Sequence, residues 1–398
     1  MITEPAPVDL DSVGRAIAVM IVATAALLLA FLSVTRPAAR LARRPLASAL
    51  LGGGWLALLA GLLLGPGGFE LLRPGSVLEL RPLTQLGLAW IGFLVGLQLK
   101  RSLVTAVPPL LWRWVLVDAA ASLLVGTLLG GAVLMWASGA RDWTATWPCA
   151  ALAGAATIGW SGELRSLRGF DASSPHVAAM VRAGAGLCTV VALVMGGLAT
   201  TDLTESKWIV ATIAVVIAAA VSLRAALGGR VVADGGIILA LLATLSLVAG
   251  AAAAIVTGPL LGAFLLGMVV TNMPGGSMRR MERLVMESEP AVAAIFFLLA
   301  GVLLGGVGDW PWVLALAMVG GRLVLKPWIA SRVPATLWRD AASSRMQAAV
   351  VRQAPIAVAL AVAAVMSRYA ETERGVLLAV VITGMASTVM PLLWRGRT

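Results

Sequence analysis

The chain has 398 residues, of which 60% are apolar and only 12% are charged, and its mean hydropathy is +0.95. Soluble globular domains carry about 25% charged residues, so this composition excludes a soluble multidomain enzyme and a disordered protein, and it places the chain in a lipid bilayer. The formal net charge of +11 is better explained by basic loops on one side of a membrane than by nucleic-acid binding.

Apolar runs follow one another along the whole chain and are separated by short loops. A membrane-spanning helix needs about 20 residues, and the sequence predicts an all-α integral membrane protein with about 13 transmembrane helices. We number the runs span 1 to span 13; they lie at 16–35, 46–66, 83–99, 110–137, 146–164, 177–200, 207–223, 236–256, 259–272, 290–308, 310–330, 346–367 and 375–394.

Basic residues alternate in density between successive loops. One side collects clusters such as 36–44 and 279–283, whereas the other side holds isolated residues such as Arg141 and Lys207. Because cytoplasmic loops are the basic ones, we expect the N-terminus outside and the C-terminus in the cytoplasm. The excess of arginine over lysine favours a GC-rich bacterium, so the predicted location is a bacterial inner membrane, crossed many times.

Two apolar motifs recur seven spans later, which inverts their orientation. The paired segments are 60–65 with 262–267, and 93–99 with 298–304. Many secondary transporters are built from inverted repeats. We therefore expect one transmembrane transporter domain over 1–398 without a cytosolic regulatory domain; its parts are repeat one at about 16–200, a linking span at about 207–223 and repeat two at about 236–394.

Ionisable side chains at membrane depth are costly and are functional candidates by default. Those in or beside the predicted spans are Arg113, Asp118, Glu163, Arg182, Arg322, Lys326 and Arg352. Asp118 is the only acid well inside a span. It follows Arg113 by five residues, a spacing that does not place both on one helical face, so its partner is expected on another span. The plainer alternative is a structural salt bridge.

Spans 5 and 12 contain residues that interrupt a helix. Span 5 has three glycines and two hydroxyls between 154 and 163, including Thr157 and Ser161, and span 12 has Arg352 and Gln353 shortly before Pro355. Proline removes a helical hydrogen bond, and unwound backbone inside a membrane is tolerated where it lines a cavity. The alternative for span 5 is a continuous glycine-rich helix that packs closely against its neighbours.

The sequence contains no motif that predicts an enzyme. It has no phosphate-binding glycine loop after a strand, no HExxH, no Ser/His/Asp arrangement and no paired-cysteine metal site. Cys149 and Cys188 fall in apolar runs, as small buried side chains do. We therefore expect no enzymatic activity, no cofactor, no metal site and no nucleic-acid partner.

Four glycine-rich strings, taken in order and with their spacing, resemble the monovalent cation:proton antiporters, which have a sodium/hydrogen exchanger-like fold, and especially the branch of the glutathione-gated potassium efflux proteins. The strings lie at 61–66, 86–97, 261–267 and 296–301, and the resemblance extends from about residue 36 to residue 394. It implies an inverted repeat with two discontinuous crossing helices in spans 5 and 12, a homodimer, and monovalent cations and protons as substrates.

The chain departs from this family at its acidic positions. Members usually hold the ion on an acid in the middle of span 6, where this chain has Cys188 and Thr189. Gln98 and Ile356 stand at or near two further acidic positions, whereas the basic residue of span 11 is kept as Lys326. The usual ion-binding carboxylate is therefore missing.

The leading hypothesis is a secondary-active monovalent cation:proton antiporter that works by alternating access with a relocated carboxylate, either Asp118 or Glu163. Hydroxyls would supply neutral oxygens, and Lys326 and Arg182 would balance or gate the charge. Two alternatives are a transport-inactive scaffold or sensor subunit, and an anion or organic-acid transporter. The predicted ion and proton path comprises Asp118, Glu163, Thr157, Ser161, Thr189, Cys188, Arg182, Lys326, Arg352 and Gln353.

Overall fold

The structure, a computed structural model, describes residues 54–70, 81–99, 101, 109–138, 143–159, 175–200, 207–227, 233–254, 258–273, 276–304, 310–331, 353, 356–368 and 371–394. These residues form twelve α-helices and no strand, which confirms the all-α prediction for this part of the chain. The helices are α1 Trp55–Leu64, α2 Arg81–Leu97, α3 Pro109–Ser138, α4 Trp143–Ile158, α5 Pro175–Thr200, α6 Lys207–Leu227, α7 Asp234–Ala254, α8 Pro259–Thr271, α9 Gly276–Leu303, α10 Trp310–Ser331, α11 Ile356–Arg368 and α12 Glu371–Trp394.

The twelve helices overlap the predicted spans 2 to 13 in chain order, and span 1 lies outside the described residues. Within the described part, five segments are long and apolar enough to cross a membrane: Trp112–Ala137, Val210–Leu227, Asp234–Ala252, Arg280–Leu303 and Trp310–Ile329. Shorter apolar segments account for several of the other helices. The chain is thus a multi-pass membrane protein, and the total of thirteen crossings stays a prediction.

Helices α3 and α10 place apolar side chains outside and polar ones inside. On α10, Leu316 and Val324 are each 73% exposed, whereas Arg322 and Lys326 are 2% and 1% exposed. On α3, Leu124 is exposed and Asp118 is buried. Such large exposed apolar faces are unfavourable in water and are expected where lipid surrounds the protein, with ionisable groups turned to the interior.

Glycines bring α1 against α9 and α2 against α8. A Cβ added to Gly61 would overlap Leu298 O, and one added to Gly301 would overlap Leu58 O. In the second pair, a Cβ at Gly96 would overlap Phe264 O. Small residues let membrane helices approach until their backbones touch. Each pair therefore depends on the absence of side-chain atoms at these positions.

Polar side chains join the ends of α2 and α8. Thr271 Oγ1 donates to Leu97 O at 3.1 Å, and Asn272 Nδ2 donates to Leu99 O at 3.1 Å. The backbone N–H of Arg101 donates to Asn272 Oδ1 at 2.8 Å. The first two bonds satisfy carbonyls at and just beyond the end of α2, which lack intrahelical partners, so the two helices are fixed in register as well as in distance.

The remaining central helices surround the end of α4. Helix α3 packs along α4, α5 and α10, and α4 also contacts α11 and α12. The α3–α4 contact is close because Gly126 faces Thr157 and Gly154 faces Thr127 across it. This packing brings α3, α5 and α10 together around the point where α4 stops.

Candidate functional site

Helix α4 ends at Ile158 inside the protein, within the segment where the sequence predicts a break. Gly159 is buried and outside the helix. The last carbonyls of a helix lack intrahelical donors, and at the end of α4 the donors are side chains of other segments of the chain. Gln353 Nε2 donates to Ala156 O at 3.2 Å, and Lys326 Nζ donates to Ile158 O at 3.1 Å.

Arg322 donates hydrogen bonds to two further backbone carbonyls at this helix end. Its Nη1 donates to Thr157 O at 2.5 Å and its Nη2 donates to Gly159 O at 2.6 Å. The planar guanidinium can span two acceptors in this way because its donors lie in a fixed fork. Four successive carbonyls at the end of α4 therefore each accept a hydrogen bond from a side chain of another element.

Two of these three donors are cations, as the electrostatics of a helix end require. The C-terminus of a helix carries about half a negative charge, which Lys and Arg stabilise. Arg322 and Lys326 are four residues apart on α10, so they lie on one face of that helix. The buried end of α4 is thus neutralised by α10.

Asp118 of α3 forms an ion pair with Lys326. The Lys326 Nζ to Asp118 Oδ2 distance is 2.7 Å, and the side chains are 1% and 0% exposed. A pair buried this deeply must recover a large desolvation cost, and removal of either partner leaves an uncompensated charge. The predicted partner of Asp118 on another span is therefore Lys326, and Arg113 is exposed on a different face of α3.

Helix α5 contributes Cys188 to the same carboxylate. The thiol donates to Asp118 Oδ2, with 3.7 Å between sulfur and oxygen, and Cys188 is fully buried. Cys188 is buried, as expected for a small side chain in an apolar run, but its polar contact with Asp118 was not expected from the sequence. Asp118 therefore receives donors from both α5 and α10.

Thr157, the last residue but one of α4, also joins α4 to α3. Its Oγ1 lies 2.8 Å from Ser122 O and 2.6 Å from Gly154 O, and its single proton is shared between these two acceptors. Ser122 lies four residues after Asp118, on the same face of α3, and is buried. The hydroxyl predicted as a neutral ligand thus joins two helices in this conformation.

Gln353 lies outside the helices, before α11, and ties this region to α12. Its backbone N–H donates to Ser387 Oγ at 3.1 Å, while its side-chain amide reaches Ala156 O. The segments near the predicted breaks of spans 5 and 12 are therefore in contact. Thr189, another predicted ligand, is half-buried and donates to Ala185 O of its own helix at 2.8 Å.

The structure brings together five of the predicted path residues: Asp118, Lys326, Cys188, Thr157 and Gln353. Arg182 lies in α5, but its side chain is outside what the structure describes. Glu163, Ser161 and Arg352 lie outside the described residues, so their places in the path stay predictions.

Sequence reasoning gives Ser122 no role and does not predict that Arg322 binds the end of α4. Arg322 is recognisable only as one of the interior basic residues that prompt the anion-transporter alternative, although its spacing of four from Lys326 indicates that both point the same way. Ser122 has the same spacing from Asp118. Within the described residues, no three His, Cys, Asp or Glu side chains cluster as a metal site would require.

Comparison with known proteins identifies a fold but no sequence family. No family model and no curated protein matches the chain. Among solved structures, the chain is similar to the sodium proton antiporter MjNhaP1 from Methanocaldococcus jannaschii, solved at pH 8. The match has a TM-score of 0.66 at 14% sequence identity and covers 95% of this chain and 99% of that one. The chain therefore has the fold of that antiporter over almost its whole length.

Proposed function

We propose that this protein is a secondary-active transporter of the monovalent cation:proton antiporter type, working by alternating access. The observation that carries the proposal is the Asp118–Lys326 pair, which is fully buried beside the interior end of α4. A carboxylate in this position can hold either a cation or the lysine ammonium. The chain also has the fold of a sodium proton antiporter, which supports a role for this pair in exchanging cations for protons.

Competition for Asp118 would couple the cation to the proton. A cation that binds the carboxylate must displace Lys326 Nζ from Oδ2, where it now lies at 2.7 Å. A buried ammonium without a counter-charge is costly, so the lysine would then give up its proton. The reverse order restores the pair, and one cation exchanges for one proton at this site.

The contact with Cys188 supports a relocated carboxylate. In the resembled family, the acid stands in the middle of span 6, which corresponds to the α5 segment around Cys188. Asp118 of α3 reaches within 3.7 Å of that thiol. The carboxylate would thus occupy nearly the usual location in space while being carried by a different helix.

The helix contacts support an inverted repeat. Spans 2, 3, 9 and 10 are helices α1, α2, α8 and α9. If α1 corresponds to α8 and α2 corresponds to α9, a two-fold rotation converts the α1–α9 contact into an α8–α2 contact. Both contacts are present, and both are lined by glycines. We extend the proposal to crossing helices in spans 5 and 12, a homodimer, and a bacterial inner-membrane location with the N-terminus outside.

The direct test uses purified protein in proteoliposomes that contain a pH-sensitive dye. We expect sodium, potassium or lithium, added outside, to change the internal pH, and Asp118→Asn to reduce the rate at least tenfold. The matched control is Asp234→Asn, which removes a carboxylate from an exposed pair with Arg280 and should leave the rate unchanged. Full activity in Asp118→Asn would contradict the proposal.

A transport-inactive scaffold or sensor subunit is the second candidate. It is favoured by the complete burial of Asp118 and Lys326 in this conformation, because a pair that never meets solvent would serve structure alone. Absence of exchange with every cation, together with co-purification of a dedicated partner, would support it. The anion alternative has less support, because Arg322 and Lys326 already donate to α4 carbonyls and to Asp118.

A further inference from the structure

Three helices each bring one ionisable side chain to a single point: Asp118 from α3, Cys188 from α5 and Lys326 from α10. Asp118 Oδ2 accepts from Lys326 Nζ at 2.7 Å and from Cys188 Sγ at 3.7 Å. All three side chains are buried. Thr189, the next residue, bonds within its own helix, so among the described residues of α5 the polar contact to the pair is made by Cys188.

An acidic side chain at position 188 would lie within reach of Lys326. An aspartate resembles a cysteine in size, and its carboxylate would begin where Sγ now lies. The ammonium of Lys326 sits on a flexible four-carbon stem and already divides its donors between Asp118 Oδ2 and Ile158 O. A small movement would therefore bring it from an α3 carboxylate to an α5 carboxylate.

We infer that positions 118 and 188 form one shared counter-ion position for Lys326, at which the carboxylate can be carried by either α3 or α5. In this chain α3 carries the charge, and Cys188 is a positioning residue whose thiol holds the Asp118 carboxylate toward the lysine. The part that concerns transport rests on the proposed function, whereas the part that concerns stability does not.

An exchange of the two side chains tests the inference. Asp118→Cys leaves Lys326 without its carboxylate and should lower the unfolding temperature in detergent by roughly 5 °C or more. Adding Cys188→Asp should recover at least half of that loss, since the acid returns from the other helix. A double variant no more stable than Asp118→Cys alone would overturn the inference.

The matched control places an acid at the other buried cysteine. Cys149 of α4 lies in a large apolar cluster to which several helices contribute, so Cys149→Asp should not rescue Asp118→Cys and should lower the unfolding temperature further. Rescue by Cys149→Asp would show that any buried acid suffices and would contradict a specific shared position.

Transport measurements separate this inference from the proposed function. If the chain exchanges cations, Asp118→Cys should lose exchange at least tenfold, and the double variant should regain most of it. Recovery of stability without recovery of exchange would refute the shared position for transport. Recovery of stability in a protein that shows no exchange even without substitutions would refute the proposed function and leave the shared counter-ion position standing.

The positioning role of Cys188 is tested by rescue with a conservative variant. Among the described residues, Lys326 and Cys188 both donate to Asp118 Oδ2, with Arg322 one turn along α10, while α4 presents backbone carbonyls. Cys188→Ala removes the thiol donor and should raise the KM for the transported cation by roughly threefold with little change in the maximal rate. Cys188→Ser keeps a donor and should retain the native KM; equal KM values for the alanine variant and the native protein would overturn the role.

Discussion

The glycine-lined pairs α1–α9 and α2–α8 and the charged centre between α3, α4, α5 and α10 both join helices inside the membrane, but through different forces. In the pairs, backbone approaches backbone at Gly61, Gly96 and Gly301. In the centre, helices are joined by charged and polar side chains, chiefly Asp118, Lys326 and Arg322.

This difference separates the parts of the protein that can respond to solutes from those that cannot. Close backbone packing does not depend on pH or on ions, so it holds the paired helices in one arrangement. The strength of the charged centre depends on protonation and on competing cations. We therefore expect conformational change to begin at the centre and the glycine-lined pairs to move as rigid units.

The largest expected effect comes from removing one half of the buried pair. Lys326→Met removes the ammonium that is paired with the buried Asp118 carboxylate and should lower the free energy of unfolding by about 3–5 kcal/mol. The double variant Asp118→Asn with Lys326→Met removes both charges and should recover most of the loss. Chemical unfolding in detergent measures both; losses that simply add would mean that the two side chains do not depend on each other.

A glycine substitution tests the other side of the comparison. Gly96→Ala forces α2 away from Phe264 of α8 and should cost about 1–3 kcal/mol, independently of pH. Gly250→Ala in α7 is the control, because no atom lies within 4 Å of its added Cβ and alanine favours helix. Equal stability of Gly96→Ala and the native protein would refute close packing at this contact.

A charge-conserving change probes the end of α4. Arg322→Lys keeps the cation but cannot reach Thr157 O and Gly159 O with a fixed fork, so one charged hydrogen bond is lost at a cost of about 1.5–3 kcal/mol. The same change at the exposed Arg280 is the control. Equal unfolding curves for the two variants would mean that the bidentate contact contributes nothing.

The smallest effect is expected at the surface pair. Arg280 Nε lies 2.5 Å from Asp234 Oδ1, and both side chains are about half exposed. Exposed ion pairs contribute about 0–1 kcal/mol, so Arg280→Gln should change the free energy of unfolding by no more than that, and less in high salt. A loss comparable to that of Lys326→Met would show that burial does not determine how much an ion pair contributes to stability.

Much of the fold can be predicted from the sequence, because hydropathy in a membrane protein reports directly on helices. The twelve described helices overlap spans 2 to 13. The end of α4 at Ile158 falls within the stretch 154–163, where glycines and hydroxyls disturb a helix locally, while a crossing helix interrupted there stays a prediction. These features are set by short stretches of chain.

The site could be predicted only in part, because it depends on contacts between distant helices. Asp118 and Lys326 were recognisable as costly charges at membrane depth, but 208 residues separate them in the chain, and nothing local indicates that they pair. The role of Arg322 cannot be predicted for a similar reason. Its partners are the carbonyls of Thr157 and Gly159, and every residue has a backbone carbonyl, so the residue types at these positions do not indicate the contact.

The length of α9 has a consequence for where the membrane surface lies. A helix of 28 residues measures about 42 Å, which exceeds the hydrocarbon thickness of about 30 Å. We therefore expect its opening turns, with Arg280 and Arg283, to extend among lipid headgroups, where guanidinium groups meet phosphate. The Arg280–Asp234 contact would then lie at the headgroup level, and a spin label beside it would report the depth and tilt of α9.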